Sequence, residues 1–360
     1  MSSRILSLHL LRRASFAVLA ATLGLALVAW ALQVVRVAPE VLTDATPGAL
    51  AARVVFLPLV PILSFVWPVA LAAGVVLAGR RLAVEGALDA LAAAGIAPRR
   101  VLQPFLLLVT CGFAISAALS LVGEPLSLAG LRSAAPQLAV AAFAGRASPG
   151  AFAPAGPGTD VWVGAREGGE FREALVVRRG PAGEVTEVAA RSLRLDESRA
   201  GSLALELRDG TMRAASADGV VTATFGSLRL PFDTAALRAR IESMLPAGLA
   251  APPGAVFDPG GPSAASDRDR YLVLRRWAGP LQTLLFGLLA AALAVRGLGA
   301  GRTAVVLGAA VVATHALLRL LEPGAGGTAI PVWAAVLGPH LPAFLLVLWA
   351  AGRLYLPKPV

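Results

Sequence analysis

Six stretches of this chain are apolar over about the length a helix needs to cross a bilayer, and this limits what it can fold into more than any other feature. They run from Ala14 to Val35, Val54 to Leu77, Val101 to Val122, Trp277 to Val295, Thr303 to Leu321 and Val332 to Ala351. At ~1.5 Å of rise per residue, ~20 residues span ~30 Å of hydrocarbon, where every backbone polar group must be paired internally. Of the 360 residues 57% are hydrophobic and only 15% charged, against ~25% charged in a soluble domain. The first stretch follows Arg4, Arg12 and Arg13 as a signal peptide would. Its 22 residues exceed the ~7–15 of a signal core, so it is expected to be a retained span. Pro58, Pro61 and Pro68 predict that the second span is kinked and faces protein, where neighbours satisfy the freed carbonyls.

Between the third and fourth spans the pattern changes. Leu126 to Ala144 reads as a helix and Ser148 to Gly158 as a Pro/Gly/Ala loop. From Thr159 the apolar period becomes two, in VWVGA, ALVVRR and EVTEVAARSLRL and then at Leu203, Leu205 and Leu207. Asp209-Gly210 reads as a hairpin turn; Val221, Ala223 and Phe225 alternate again, and Leu228, Leu230 and Phe232 resume after a step at Gly226. At least six short strands are expected, forming a small antiparallel sandwich or open barrel. Thr234 to Leu245 looks helical, and Pro246 to Ser266 is a Pro/Gly-rich linker.

The net charge of +10 would suit a nucleic-acid binder if it lay on a folded surface. It does not: residues 123–270 carry a net charge of −1 and the rest of the chain +11. The cations therefore belong to the membrane frame, and nucleic acid is excluded as a partner. Both termini and the loops on their side hold Arg4, Arg12, Arg13, Arg80, Arg81, Arg99, Arg100, Arg296, Arg302, Arg353 and Lys358. The opposite short loops hold Arg36, Arg53 and Arg319, with Arg275 and Arg276 at the mouth of span four. This bias predicts cytoplasmic termini and an external β-domain. No GxxxxGK[ST], HExxH or GxSxG is present, and the single Cys111 gives neither a disulfide nor a cysteine metal site. Gly297, Gly299 and Gly301 read as a tight cytoplasmic turn. His315 and His340 fall near mid-span, where hydrogen-bond contacts between helices are the expected role and a proton relay or metal ligation the alternative. No cofactor is expected.

Two sets of residues remain. Arg80 to Pro104 lies between spans two and three with arginines at both ends, a broken apolar face at Leu82, Leu88, Leu91 and Ile96, and a stop at Gly95-Ile-Ala-Pro98. It is expected to be a short helix on the cytoplasmic membrane surface. At the outer boundary, Gln33, Arg36, Arg53, Arg275, Arg276 and Arg319 either snorkel or form a ring for a phosphorylated headgroup, because guanidinium matches phosphate bidentately.

Nearly the whole chain resembles the lipopolysaccharide-export permeases LptF/LptG, also called YjgP/YjgQ. The resemblance rests on three spans, a β-domain and three spans, and on three local motifs. These are Glu85-Gly-Ala-Leu-Asp89 through Gly95 to Leu102, the early strands around Phe171 to Val176, and Gly301-Arg302-Thr303 opening span five. It implies an α-helical membrane protein with a periplasmic all-β jellyroll-like domain inserted between helices 3 and 4. The divisions are 1–122 with a coupling helix at about 80–97, then 123–270, then 271–360. It also implies a non-catalytic inner-membrane subunit that pairs with a second such permease on a cytoplasmic dimeric ABC ATPase and passes lipopolysaccharide to periplasmic jellyroll bridge proteins. On this reading Glu85, Asp89, Gly95 and Arg99 couple to the ATPase, spans one and five are lateral gates, and Arg36 falls on a family cation. The chain departs from the family at Gln33, at Ala97-Pro98, and at Tyr271-Leu-Val-Leu-Arg275-Arg276, which lacks an acid. A permease for another lipid or lipoprotein, and a non-transporting scaffold or receptor with a β binding domain, are the alternatives.

Overall fold

Six helical segments have the length and apolarity to cross a membrane: Ser7–Arg36, Gly48–Val84, Pro98–Leu131, Arg270–Val295, Gly301–Leu321 and Val332–Gly352. They match the six apolar stretches of the sequence. The computed structural model describes residues 3–41, 46–156, 158–167, 170–180, 184–197, 203–216, 219–231, 267–296, 300–323 and 330–352. The expected helix at Thr234–Leu245, the linker Pro246–Ser266, the turn residues Gly297 and Gly299, and Arg353 and Lys358 lie outside the described residues.

The helices are α1 (Ser3–Val41), α2 (Gly48–Phe56), α3 (Leu59–Val84), α4 (Ala87–Ala93), α5 (Pro98–Ala118) and α6 (Glu124–Arg146) before the sheet. After it come α7 (Asp267–Leu274), α8 (Ala278–Val295), α9 (Ala300–Leu321), α10 (Val332–Leu337) and α11 (Leu341–Gly352). The chain divides into two compact units, one of 1–32, 58–128 and 247–360, the other of 33–57 and 129–246.

In the first unit α8 is the hub, with Phe286, Leu289, Ala290 and Ala291 fully buried. Lipid tails are as apolar as leucine, so packing in a membrane depends on close backbone approach. Small residues supply it here. A Cβ at Gly79 would lie 2.3 Å from that of Ala294, and one at Gly287 2.8 Å from Val109 Cγ1. The kink expected in span two is a break at Leu57–Pro58 between α2 and α3, while Pro68 lies inside α3. Span three continues from α5 through a π-helical turn at Leu119–Gly123 into α6, with no separate loop before the expected second helix.

In the second unit α2 and α6 pack through Leu50, Val54, Ala134, Leu138 and Ala141. The strands are β1 (Phe152–Gly156), β2 (Thr159–Glu167), β3 (Glu170–Arg179), β4 (Val185–Glu197), β5 (Leu203–Ser216) and β6 (Gly219–Pro231). They form one antiparallel sheet in sequential order, a meander. A jellyroll pairs non-sequential strands, and such pairing does not occur among the described strands. Inward residues Val161, Val163, Phe171, Val176, Val188, Leu193, Leu205 and Leu207 make one core with Phe143 and Ala147.

Asp209-Gly210 is not a hairpin turn; it lies inside β5. There it belongs to a seam that crosses the sheet. The partnerships Gly164–Glu173, Glu173–Arg191, Arg191–Asp209 and Asp209–Gly226 are all missing, yet the register on either side is unchanged. The inward alternation also changes phase there, from Phe171 to Ala174 and Val176 in β3 and from Val188 and Ala190 to Leu193 in β4. Each strand therefore carries one extra residue at the same row, which is why the pairing survives the step.

Candidate functional site

The link between spans two and three is shorter as a helix than its composition suggests. The expected helix over about 80–97 is corrected to α4, Ala87–Ala93, because Arg80 to Val84 continue α3 and Gly86 takes φ +66° and ends it. Gly95, at φ +72°, ends α4, and Pro98 opens α5. Leu88, Leu91 and Ile96 pack onto the apolar core of the first unit. Glu85, Asp89, Gly95 and Arg99 are all exposed. Glu85 is already engaged within the chain, since Arg13 Nη1 of α1 donates to its Oε2 at 2.5 Å. Arg99 and Arg100 sit in the first turn of α5, where the helix dipole disfavours cations by ~0.3–1 kcal/mol each, a placement that anionic lipid or an acidic partner would offset.

The outer-boundary residues are divided between the two units. Gln33, Arg36 and Arg53 belong to the second, with Arg36 and Arg53 exposed and Gln33 half-buried. The other three belong to the first, where they join a polar cluster. Arg275 Nη1 donates to Glu322 Oε1 at 2.5 Å, and Arg319 lies 3.5 Å from Glu322 Oε2. Arg276 is 4% exposed. Glu124 shares a side-chain hydrogen bond with Ser64 and feels the charges of Arg276 and Arg275. Ser64 Oγ and Ser120 Oγ are hydrogen-bonded at 2.7 Å, and Gly279 approaches so closely that a Cβ there would lie 2.8 Å from Ser120 Oγ.

Two carboxylates, Glu124 and Glu322, thus face the three guanidiniums of Arg275, Arg276 and Arg319. The cluster ties spans two, three, four and five together at one level, and Arg319, with its side chain 77% exposed, keeps the outward-facing charge. Sequence reasoning missed Glu124. Its signal was an acid ending an apolar run, Val122-Gly-Glu124-Pro125, but its partners come from other helices. His315 Nδ1 is 2.9 Å from Val311 O, and the His315 ring meets Phe65 edge-on at 5.4 Å. His340 is buried with neither ring nitrogen hydrogen-bonded. No group of three or more His, Cys, Asp or Glu is arranged to hold a metal among the described residues.

A polytopic membrane protein with an antiparallel β-unit between two sets of spans is the class these elements define. The family described as "Lipopolysaccharide export system permease LptF/LptG" matches residues 8–353, so the chain belongs to that family of permease subunits. No curated protein matches it.

Proposed function

We propose that this chain is one of two membrane subunits of an ATP-driven exporter that takes lipopolysaccharide from the outer leaflet of the inner membrane and passes it to a periplasmic bridge of β-domains. The second permease subunit is a paralogue or a copy of this chain, and ATP is hydrolysed in a separate cytoplasmic dimeric ABC ATPase. The termini and α4 are cytoplasmic and the sheet is periplasmic. The observation that carries this reading is the form of α4 and its flanks: α4 has no fully buried residue, is anchored by Leu88 and Leu91 with Ile96 just beyond it, and presents Asp89 outward, with the exposed, Arg13-paired Glu85 just before it. An element held at its base and charged on its free side suits transmission of force from another chain. The gate role of spans one and five is supported by their open apolar faces, Phe16, Leu23 and Leu27 in α1 and Val305, Val312 and Leu320 in α9. Arg36, Arg53 and Arg319 are the cations left exposed for a phosphorylated headgroup.

The test is ATPase activity of the reconstituted complex with and without lipopolysaccharide. Glu85→Lys sets a cation against the ATPase and should abolish stimulation, whereas Arg13→Ala, which removes only the internal pair, should leave at least half of it. Full stimulation in Glu85→Lys would sink the coupling role.

A further inference from the structure

One contact in the polar cluster does more than neutralise charge, because it governs how the Leu321 end of span five is held. Over Gly301–Leu321 the buried residues are Thr303, Ala310, Thr314 and Leu318, a single stripe in which three of the four side chains are small. The opposite face is open, with Val305, Val312 and Leu320 all at least two-thirds exposed. Dispersion contacts of this kind are individually weak, and lipid tails replace them at little cost. A directional tie lies at the end of the span. Arg275 Nη1 donates to Glu322 Oε1 at 2.5 Å, and Arg319 Nη1 lies 3.5 Å from Glu322 Oε2.

The geometry of that tie suits a latch. The Glu322 N–H donates to Leu318 O at 3.2 Å, so Glu322 continues the helix and its carboxylate moves with span five. Arg275 belongs to span four and stands 5.9 Å from the centre of the Tyr271 ring. The Arg275 and Glu322 side chains are 20% and 17% exposed, so salt screens their attraction little. Arg319 is 77% exposed and more loosely held, which leaves it open to a second anion. A phosphate monoester carries about −1.5 to −2 against −1 for the carboxylate, and it matches guanidinium bidentately. Once such a group sits on Arg319, it repels Glu322 and outcompetes it for Arg275.

We propose that Glu322 is an internal stand-in for a phosphorylated ligand: through Arg275 it latches span five to span four until a phosphate takes its place and frees the Leu321 end. The latch rests on this geometry alone, whereas the phosphate trigger rests on the export reading.

The experiment uses the full chain in lipid nanodiscs, in a Cys111→Ser background. Spin labels go on Leu126→Cys in span three and Leu320→Cys in span five, both exposed positions. Pulsed EPR should give one distance between them. Glu322→Gln and Arg275→Gln should each add a longer one, raising the released-to-latched ratio about tenfold, the scale of losing one charge-assisted hydrogen bond. The reversed pair, Arg275→Glu with Glu322→Arg, should restore the single distance, and Arg319→Gln should leave it unchanged. Unaltered distances in both Gln variants, or a reversed pair that behaves as they do, would overturn the latch. In the reconstituted complex, lipopolysaccharide should add the longer distance and the same lipid stripped of its phosphates should not. Stimulated ATPase activity with no change in distance, or equal effects of the two lipids, would overturn the trigger. Loss of ATPase stimulation itself would instead count against the export reading.

Discussion

Single residues decide how closely the spans pack, and glycines show it most directly. Gly79 faces Ala294 with no room for a methyl group, since a Cβ there would lie 2.7 Å from the Ala294 Cα as well as 2.3 Å from its Cβ. Backbone atoms cannot rotate aside. Gly24 and Gly308 lie in spans too, but a Cβ at either meets nothing within 4 Å. Gly79→Val is therefore expected to cost about 1–3 kcal/mol by overpacking, whereas Gly24→Ala should be neutral or slightly stabilising through helix propensity. Thermal unfolding of the detergent-solubilised variants checks this, and equal midpoints for the two would refute the close-packing account. Charge follows a similar local logic. Glu322 holds Arg275 and touches Arg319, so Arg275, one of the candidate headgroup ligands read from the sequence, is half of an internal pair.

Among elements, α4 depends most on its ends. Gly86 has open space around it, so the only barrier to substitution there is its φ of +66°. Gly86→Ala should cost about 1 kcal/mol and speed amide exchange across Ala87–Ala93 about fivefold, while Gly86→Asn, at home in left-handed backbone, should change it little. Unaltered exchange in Gly86→Ala would show that the backbone there relaxes freely. The same glycine explains why the helix read longer in the sequence: Arg80 to Val84 keep a helical pattern that no breaker interrupts before Gly86. Spans were legible because about 20 apolar residues leave a chain few options. The β-strands were legible from Leu203, Leu205 and Leu207, since a period of two survives in any half-buried strand. Asp209-Gly210 was not, because a turn and an aligned extra residue look alike within one strand and differ only in what the neighbouring strands do. The polar cluster had the same difficulty: Ser64, Ser120, Glu124 and Arg276 come from three spans and meet only once those are packed.

At the scale of the whole molecule, the unequal distribution of arginine sets which way the chain is threaded. The ends of α3 and α5 that flank α4 hold Arg80, Arg81, Arg99 and Arg100, on the side of Arg12 and Arg13, whereas the sheet-side ends of the first two spans hold only Arg36 and Arg53. Cations next to a span resist translocation, so this bias predicts that the cation-rich side stays in the cytoplasm and that the sheet crosses. The whole chain has one cysteine, Cys111, which makes the threading measurable. In a Cys111→Ser background, Ala93→Cys marks α4 and Thr222→Cys marks β6, and both positions are exposed. A membrane-impermeant maleimide added to intact spheroplasts should label Thr222→Cys and reach Ala93→Cys only after the membrane is opened. The reverse pattern would place the sheet in the cytoplasm beside any ATPase and leave α4 outside, where it could not receive force from ATP hydrolysis. Labelling of both in intact cells would point to mixed insertion, which the excess of arginine on one side predicts against. Moving that excess is the stronger form of the test. Substituting Arg80, Arg81, Arg99 and Arg100 with Ser while adding two arginines beside Arg53 should increase the fraction of Ala93→Cys labelled from outside.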